Sequence, residues 1–372
     1  MAQQHLEPTD PTAGPPAKLS AAGAPTADAL AGYLRTQATE FLRALRLHRE
    51  TGGAANNGSE EAVDAARALR RSARRISGSL HTFRPLLEEN WSEELRPELA
   101  WLSGTLAREH AYQGRLERLL LALHRLSGST ALPAPPAAAG VAVGSRPAGP
   151  AVPPPQPATP DRGNLTVGAA KAGALLERQL TLARTRAHST ALQALGSSRF
   201  HAVADKVAVL ASDVPLTSSA ATADLRPLAA AAEERLTGAV AVLPLVTAGS
   251  PYNAEALIHG LAPDPSPHAQ DAPWHQVRLL LRLYRYAREV LHSDELGGAP
   301  VDVRLMTAGQ ALNRHRDASE AAAAAAAAAR TPRIAPATAY ALGVLHADQR
   351  HEVEAARFAF QQAWQKQTVN AP

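Results

Sequence analysis

Apolar side chains recur every three to four residues along most of this chain, the period of an α-helix that buries one face. Leu30, Tyr33 and Leu34 begin the pattern, Phe41, Leu42 and Leu45 continue it, and it ends before Gly52 and Gly53. A second run extends from about Glu60 to Leu80 and is closed by Pro85. Trp91 opens a third, with Leu95, Leu99, Leu102 and Leu106 on one face; it continues or breaks near Arg108 before Leu116, Leu119, Leu120 and Leu123. The period returns from about Val167 to Leu195, Arg199 to Ala211, Thr222 to Leu243, Pro273 to Leu291, Val301 to Ala329 and Pro336 to Gln367. Only 4% of the residues are aromatic, so the core has to be built mainly of Ala and Leu. Such a composition favours closely packed helices, since Ala has the best helix propensity and strand formers are few. The run Ala321 to Ala329 fits this scheme as a helix surface that a neighbour can approach closely. The expected fold class is all-α.

The pattern is interrupted between Gly128 and Gly163, where Pro133-Ala134-Pro135-Pro136 and Pro153-Pro154-Pro155 remove helical donors and clash with the preceding turn. This stretch reads as a semi-extended linker. The polar start, rich in Pro and Ala, reads as a disordered tail. Four segments follow: a tail over 1–28, a helical half over 29–127, a Pro/Ala-rich linker over 128–164 and a second helical half over 165–368.

The absence of cysteine removes disulfides, thiol nucleophiles and thiolate metal sites. No apolar run approaches the roughly 20 residues of a membrane span, and the N-terminus lacks the features of a secretory signal. A cytoplasmic protein is the simplest expectation. The formal charge of +4 understates the basic character, because only Lys18, Lys171, Lys206 and Lys366 are lysines among 38 basic residues. The others are arginines, whose planar guanidinium forks onto phosphate oxygens in pairs of hydrogen bonds.

Those arginines form a repeat. His275, Arg278, Arg282 and Arg285 follow the spacing i, i+3, i+7, i+10 and fall within about 80° of arc on one helix face. Arg67, Arg70 and Arg74 repeat the first three offsets, widened by Arg71 and Arg75, with Ser77 in the place of Arg285. Two such stripes repel when they face each other, and a polyanion between them turns that repulsion into binding. A stripe of this kind advances roughly 10 Å along the axis, enough to meet consecutive phosphates of an extended chain. The bland reading, in which each stripe is only the solvated side of an amphipathic helix, is weakened by the matched spacing.

With these residues in view, the chain resembles the CHAD family, named for conserved histidines in an α-helical domain. Its first signature, His-x-x-Arg-x-x-x-Arg-Arg followed by Phe-Arg-Pro-Leu-Leu, is similar to Arg67, Arg70, Arg74 and Arg75 followed by Phe83-Arg84-Pro85-Leu86-Leu87. The second is similar to His275, Arg278, Arg282, Arg285 and Tyr286, and a later element is similar to the stretch Leu312 to Asp317. Arg67 stands where the first family histidine is expected, and His110-Ala111 replaces an Arg-Asp pair. The resemblance implies two pseudo-twofold-related helical bundles with a basic groove between them, holding inorganic polyphosphate. It also implies a location in the cytoplasm or on polyphosphate granules, often beside a polyphosphate-metabolising enzyme.

No phosphate-cradling glycine loop, nucleophile elbow or paired carboxylates can be assembled, so the chain reads as a non-catalytic binder without cofactor or metal. His346 and His351 miss the i, i+4 spacing of a helical metal pair. The expected ligand track comprises Arg67, Arg70, Arg71, Arg74 and Arg75 from the first half, and His275, Arg278, Arg282, Arg285 and Tyr286 from the second. Arg178, Arg184 and Arg186 extend it, and His315 with Asp317 orients basic groups near the groove. Two other readings stand beside this one: a helical scaffold that docks a partner enzyme through Ala/Leu faces, and an RNA-binding module, the weaker because aromatic stacking partners are scarce.

Overall fold

The computed structural model describes residues 26–52, 60–128, 160–250, 269–293 and 302–365. Most of the expected tail and linker lies outside these residues. Among them are nine α-helices: α1 (Ala27–Gly52), α2 (Glu60–Thr82), α3 (Glu89–Leu126), α4 (Pro160–Leu195), α5 (Ser198–Ser212), α6 (Arg226–Ala241), α7 (Ala272–Leu291), α8 (Val303–Ala329) and α9 (Pro336–Gln365). No strand occurs among the described residues. The one β-bridge among them joins Leu87 to Leu216. The fold is all-α, as the periodicity requires.

Helix α3 runs unbroken through Arg108 and carries Pro97 in its interior. Its 38 residues correspond to about 57 Å at 1.5 Å per residue, long enough to serve two cores. Leu95, Leu99, Leu102 and Leu106 enter a first cluster with Leu34 and Phe41 of α1, Leu69 and Ile76 of α2, Phe200 and Val207 of α5, and Val290 of α7. Leu119 and Leu123 enter a second, with Leu176 of α4, Leu342 and Leu345 of α9, and Ala321, Ala325 and Ala328 of α8. The alanine run is thus the surface onto which α9 packs closely. A third cluster joins Leu236 of α6, Trp274, Val277 and Leu281 of α7, Leu312 of α8 and Phe360 of α9. The first two clusters draw helices from both sides of the linker.

Helix α4 begins at Pro160, seven residues before the period becomes legible at Val167. The Phe83-Arg84-Pro85-Leu86-Leu87 motif forms a 3-10 turn over Arg84–Leu86 with Phe83, Leu86 and Leu87 buried. The amide of Glu88 donates to the Pro215 carbonyl at 3.0 Å, and that of Thr217 to the Leu86 carbonyl at 3.0 Å. The motif therefore fixes the entry of α3 against the segment after α5. No helix among the described residues is long and apolar enough to cross a membrane.

Candidate functional site

The two arginine stripes meet. Helices α2 and α7 cross at Gly78, where a Cβ would stand 2.6 Å from Cδ2 of Tyr286 and 3.4 Å from Cδ2 of Leu283. Only a residue without a side chain permits this approach, and it sets both stripes beside one cleft. One lobe of about 420 Å³ is lined by Arg70, Arg71, Arg74 and Arg75 of α2, Arg278, Arg282, Arg285 and Tyr286 of α7, and Asn313 and Arg316 of α8. A second lobe of about 520 Å³ shares Arg70, Arg74, Arg278, Arg282, Tyr286 and Arg316 and is completed by α3. A third, of about 270 Å³, lies between α3 and α8 and includes Arg70, His110, Arg115, Arg118 and Arg316.

These cations are crowded. Burial, together with Arg74, Arg316, Arg282 and Arg67 nearby, pushes the Arg70 guanidinium down to about 10. Burial with Arg282 and Arg316 pushes Arg278 down to about 9. Arg282 is displaced in the same direction, chiefly by burial. Guanidinium groups hold their proton through the neutral range, so the crowding amounts to electrostatic work that an anion in the cleft would relieve. The buried Nε atoms of Arg70 and Arg74 have no hydrogen-bond partner. Unpaired buried donors of this kind are normally rare.

Not every arginine is free to bind. Arg75 donates through Nε to Glu289 Oε2 at 2.7 Å, and Tyr33 donates to the same oxygen at 2.9 Å. Arg278 donates through Nε to Asn313 Oδ1 at 2.8 Å, which aims it along the α8 wall. Arg316 donates through Nε to Asp317 Oδ1 at 2.9 Å. Arg115 and Glu320 form an ion pair that closes part of the third lobe.

Several expected site residues stand elsewhere. Arg67 is exposed, pairs with Asp64 at 3.0 Å and lines none of the three lobes. Arg178, Arg184 and Arg186 are exposed on α4, which packs against α3 and α9 rather than facing the cleft, and Arg184 donates to Gln113. The expected extension of the track along α4 is therefore absent from the cleft lining. His275 and His315 also lie outside the lining; their ring centroids are 5.5 Å apart behind it.

His315 is 1% exposed and belongs to a buried charge network rather than to the groove. At its centre Asp271, fully buried, accepts from Arg350 Nη1 at 2.7 Å and Arg357 Nη2 at 2.6 Å, and also from the Ser319 hydroxyl. Arg357 reaches Glu354 at 2.7 Å as well, so two carboxylates offset two guanidiniums. Burial opposes ionisation of Asp271, but its polar contacts with His315 and Arg350 hold the carboxyl well below the usual range. Burial pushes the His315 imidazole down to about 4, and the ring stacks on Trp274 at 5.7 Å. The network braces the start of α7, and hence the register in which Arg278 and Arg282 enter the cleft.

Arg316, which lines all three lobes, is the residue that the stripe spacing on α2 and α7 did not reveal. A signal exists: Gly309, Asn313, Arg316 and Glu320 recur at i, i+4, i+7 and i+11 and share one face of α8. Ser77, Gly78 and Arg96 complete the second lobe.

Comparison with known proteins gives a consistent placement. The sequence profile of the CHAD domain matches residues 36–295. No curated protein matches the chain. Among solved structures, PptA from Streptomyces chartreusis is 69% identical, with a TM-score of 0.73 over 92% of this chain and 100% of that one. The profile match ends before α8, the helix that carries Arg316. From the two arginine stripes, the cleft they share and these matches together, the chain belongs to the CHAD domain family.

Proposed function

We propose that the cleft binds inorganic polyphosphate and holds it without breaking it. The observation that carries this reading is the convergence of Arg70, Arg74, Arg278, Arg282 and Arg316, from three helices, on one continuous cleft. A linear chain of phosphoryl groups offers negative charge at regular short intervals, matching guanidiniums presented one helical turn apart. Asp317 and Asn313 orient Arg316 and Arg278. Tyr286 is the one tyrosine in the lining, whereas a single strand of RNA is usually held by several aromatic platforms. We place the protein in the cytoplasm or on polyphosphate granules, serving an enzyme that makes or degrades the polymer.

The test is binding of polyphosphate over a salt series. Counterion release makes the affinity fall steeply as salt rises, with the slope reporting the number of contacts. The double variant Arg278→Glu/Arg282→Glu is expected to abolish binding, while Arg178→Glu/Arg186→Glu leaves it nearly unchanged. Equal losses in the two variants, or an affinity indifferent to salt, would overturn the assignment.

A further inference from the structure

The second lobe differs in chemistry from the first. Its basic edge is the shared arginine cluster, but its remaining walls are aliphatic: Leu279 and Leu283 of α7 face a side of α3 that presents Ala100, Gly104 and Ala107. Leu279 is 46% exposed on this aliphatic side of the cleft. Over Gly104 the space is open, since a Cβ there would meet no atom within 4 Å. A bare phosphate chain has nothing to gain from such walls, because its oxygens lose water there without acquiring donors. Hydrogen-bonding groups share this lining, namely Ser77, Ser103 and the pair in which Arg96 donates to His81 Nδ1 at 2.8 Å.

We propose that this lobe is a slot for the base of a nucleoside polyphosphate, whose phosphoryl chain lies on the arginine cluster while its ring lies between the α3 and α7 walls. The inference rests on the anion-binding reading above and extends it to a ligand class. The small residues of α3 leave a shallow face that a flat ring can cover, and Leu279 and Leu283 close over the other side. The polar side chains of the lining suit the edge of a base, which a purely apolar prenyl chain could not engage. Sites of this type, apolar walls with a few convergent polar groups, are the usual form of small-molecule pockets.

The experiment compares adenosine 5′-tetraphosphate with inorganic tripolyphosphate of similar charge by calorimetry, on the full chain. The nucleotide is expected to bind about tenfold more tightly, the gain expected from removing part of an apolar ring surface from water. Gly104→Leu, which fills the slot at a position with room for a side chain, is expected to remove that advantage and leave tripolyphosphate binding unchanged. Leu279→Gln is expected to reduce it in the same sense. Equal affinities in the wild type, or an advantage that survives Gly104→Leu, would overturn the slot while leaving the polyphosphate reading intact. Failure of both ligands to bind would overturn that reading and this one together.

Discussion

The ring of Tyr286 occupies the space that any side chain at position 78 would need, so the crossing of α2 and α7 is set by one glycine. Gly78→Ala is therefore expected to force the ring or the helices apart. Overpacking of this kind costs about 1–3 kcal/mol. Because the same crossing brings Arg74 beside Arg282, polyanion affinity is expected to fall as well, although no charge has changed. Denaturant unfolding and binding measured on one preparation check both effects; full affinity in Gly78→Ala would show that the crossing does not set the cleft.

Glu289 is the carboxylate of the first lobe that neutralises a member of the stripe, Arg75. Glu289→Gln keeps an acceptor for Tyr33 and releases the Arg75 charge to the cleft. Affinity for polyphosphate is expected to rise several-fold at low salt, and the slope of log affinity against log salt to steepen by about one unit. A salt titration of both proteins gives the answer, and an unchanged slope would mean that Arg75 stays outside the ligand's reach.

The Asp271 network behind the cleft should be intolerant of losing its central anion. Asp271→Asn leaves Arg350 and Arg357 in a buried site with half their compensation, and breaking a buried pair on one side costs about 3–5 kcal/mol. Chemical denaturation is the measurement. A loss below about 1 kcal/mol would indicate that water or Glu354 takes over the role.

His315 makes stability depend on acid. Its imidazole is held down to about 4 by burial, below the ordinary 6.5, so the unfolded chain takes up the proton first. The contribution is complete above about 6.5 and is lost as pH falls from there towards about 4, in the sense that linkage requires when the unfolded state binds more protons. Asp271, whose carboxyl is also held down, adds a loss at still lower pH. Urea unfolding across that window is expected to show falling stability, with a flatter profile in His315→Gln. Parallel profiles would assign the acid sensitivity elsewhere.

The all-α fold was legible in the sequence because helical burial writes a 3.6-residue period directly into the order of Leu and Ala. The two stripes were legible for the same reason, and Arg70, Arg74, Arg278 and Arg282 do share a cleft. His315 and Arg316 show where this kind of reading stops. Neighbouring positions on a helix point about 100° apart, so one enters the core while the next enters the cleft. The spacing of Gly309, Asn313, Arg316 and Glu320 shows that they share a face of α8, but nothing in that stretch says that this face borders the stripes of α2 and α7. Arg178, Arg184 and Arg186 stand outside the cleft lining for a related reason: an exposed arginine face is identical in sequence whether it borders a groove or open solvent. The interleaving of cores across the linker depends on the reach of α3, which local periodicity does not encode.

Arg70 and Arg316 border all three lobes, so no lobe can fill without drawing on groups that the others also use. Separate small anions must compete for these shared cations, whereas one connected anion can lie across several lobes and use each cation once. On the proposed reading such a cleft discriminates by connectivity, favouring charges strung on a single molecule over the same number of charges arriving one at a time.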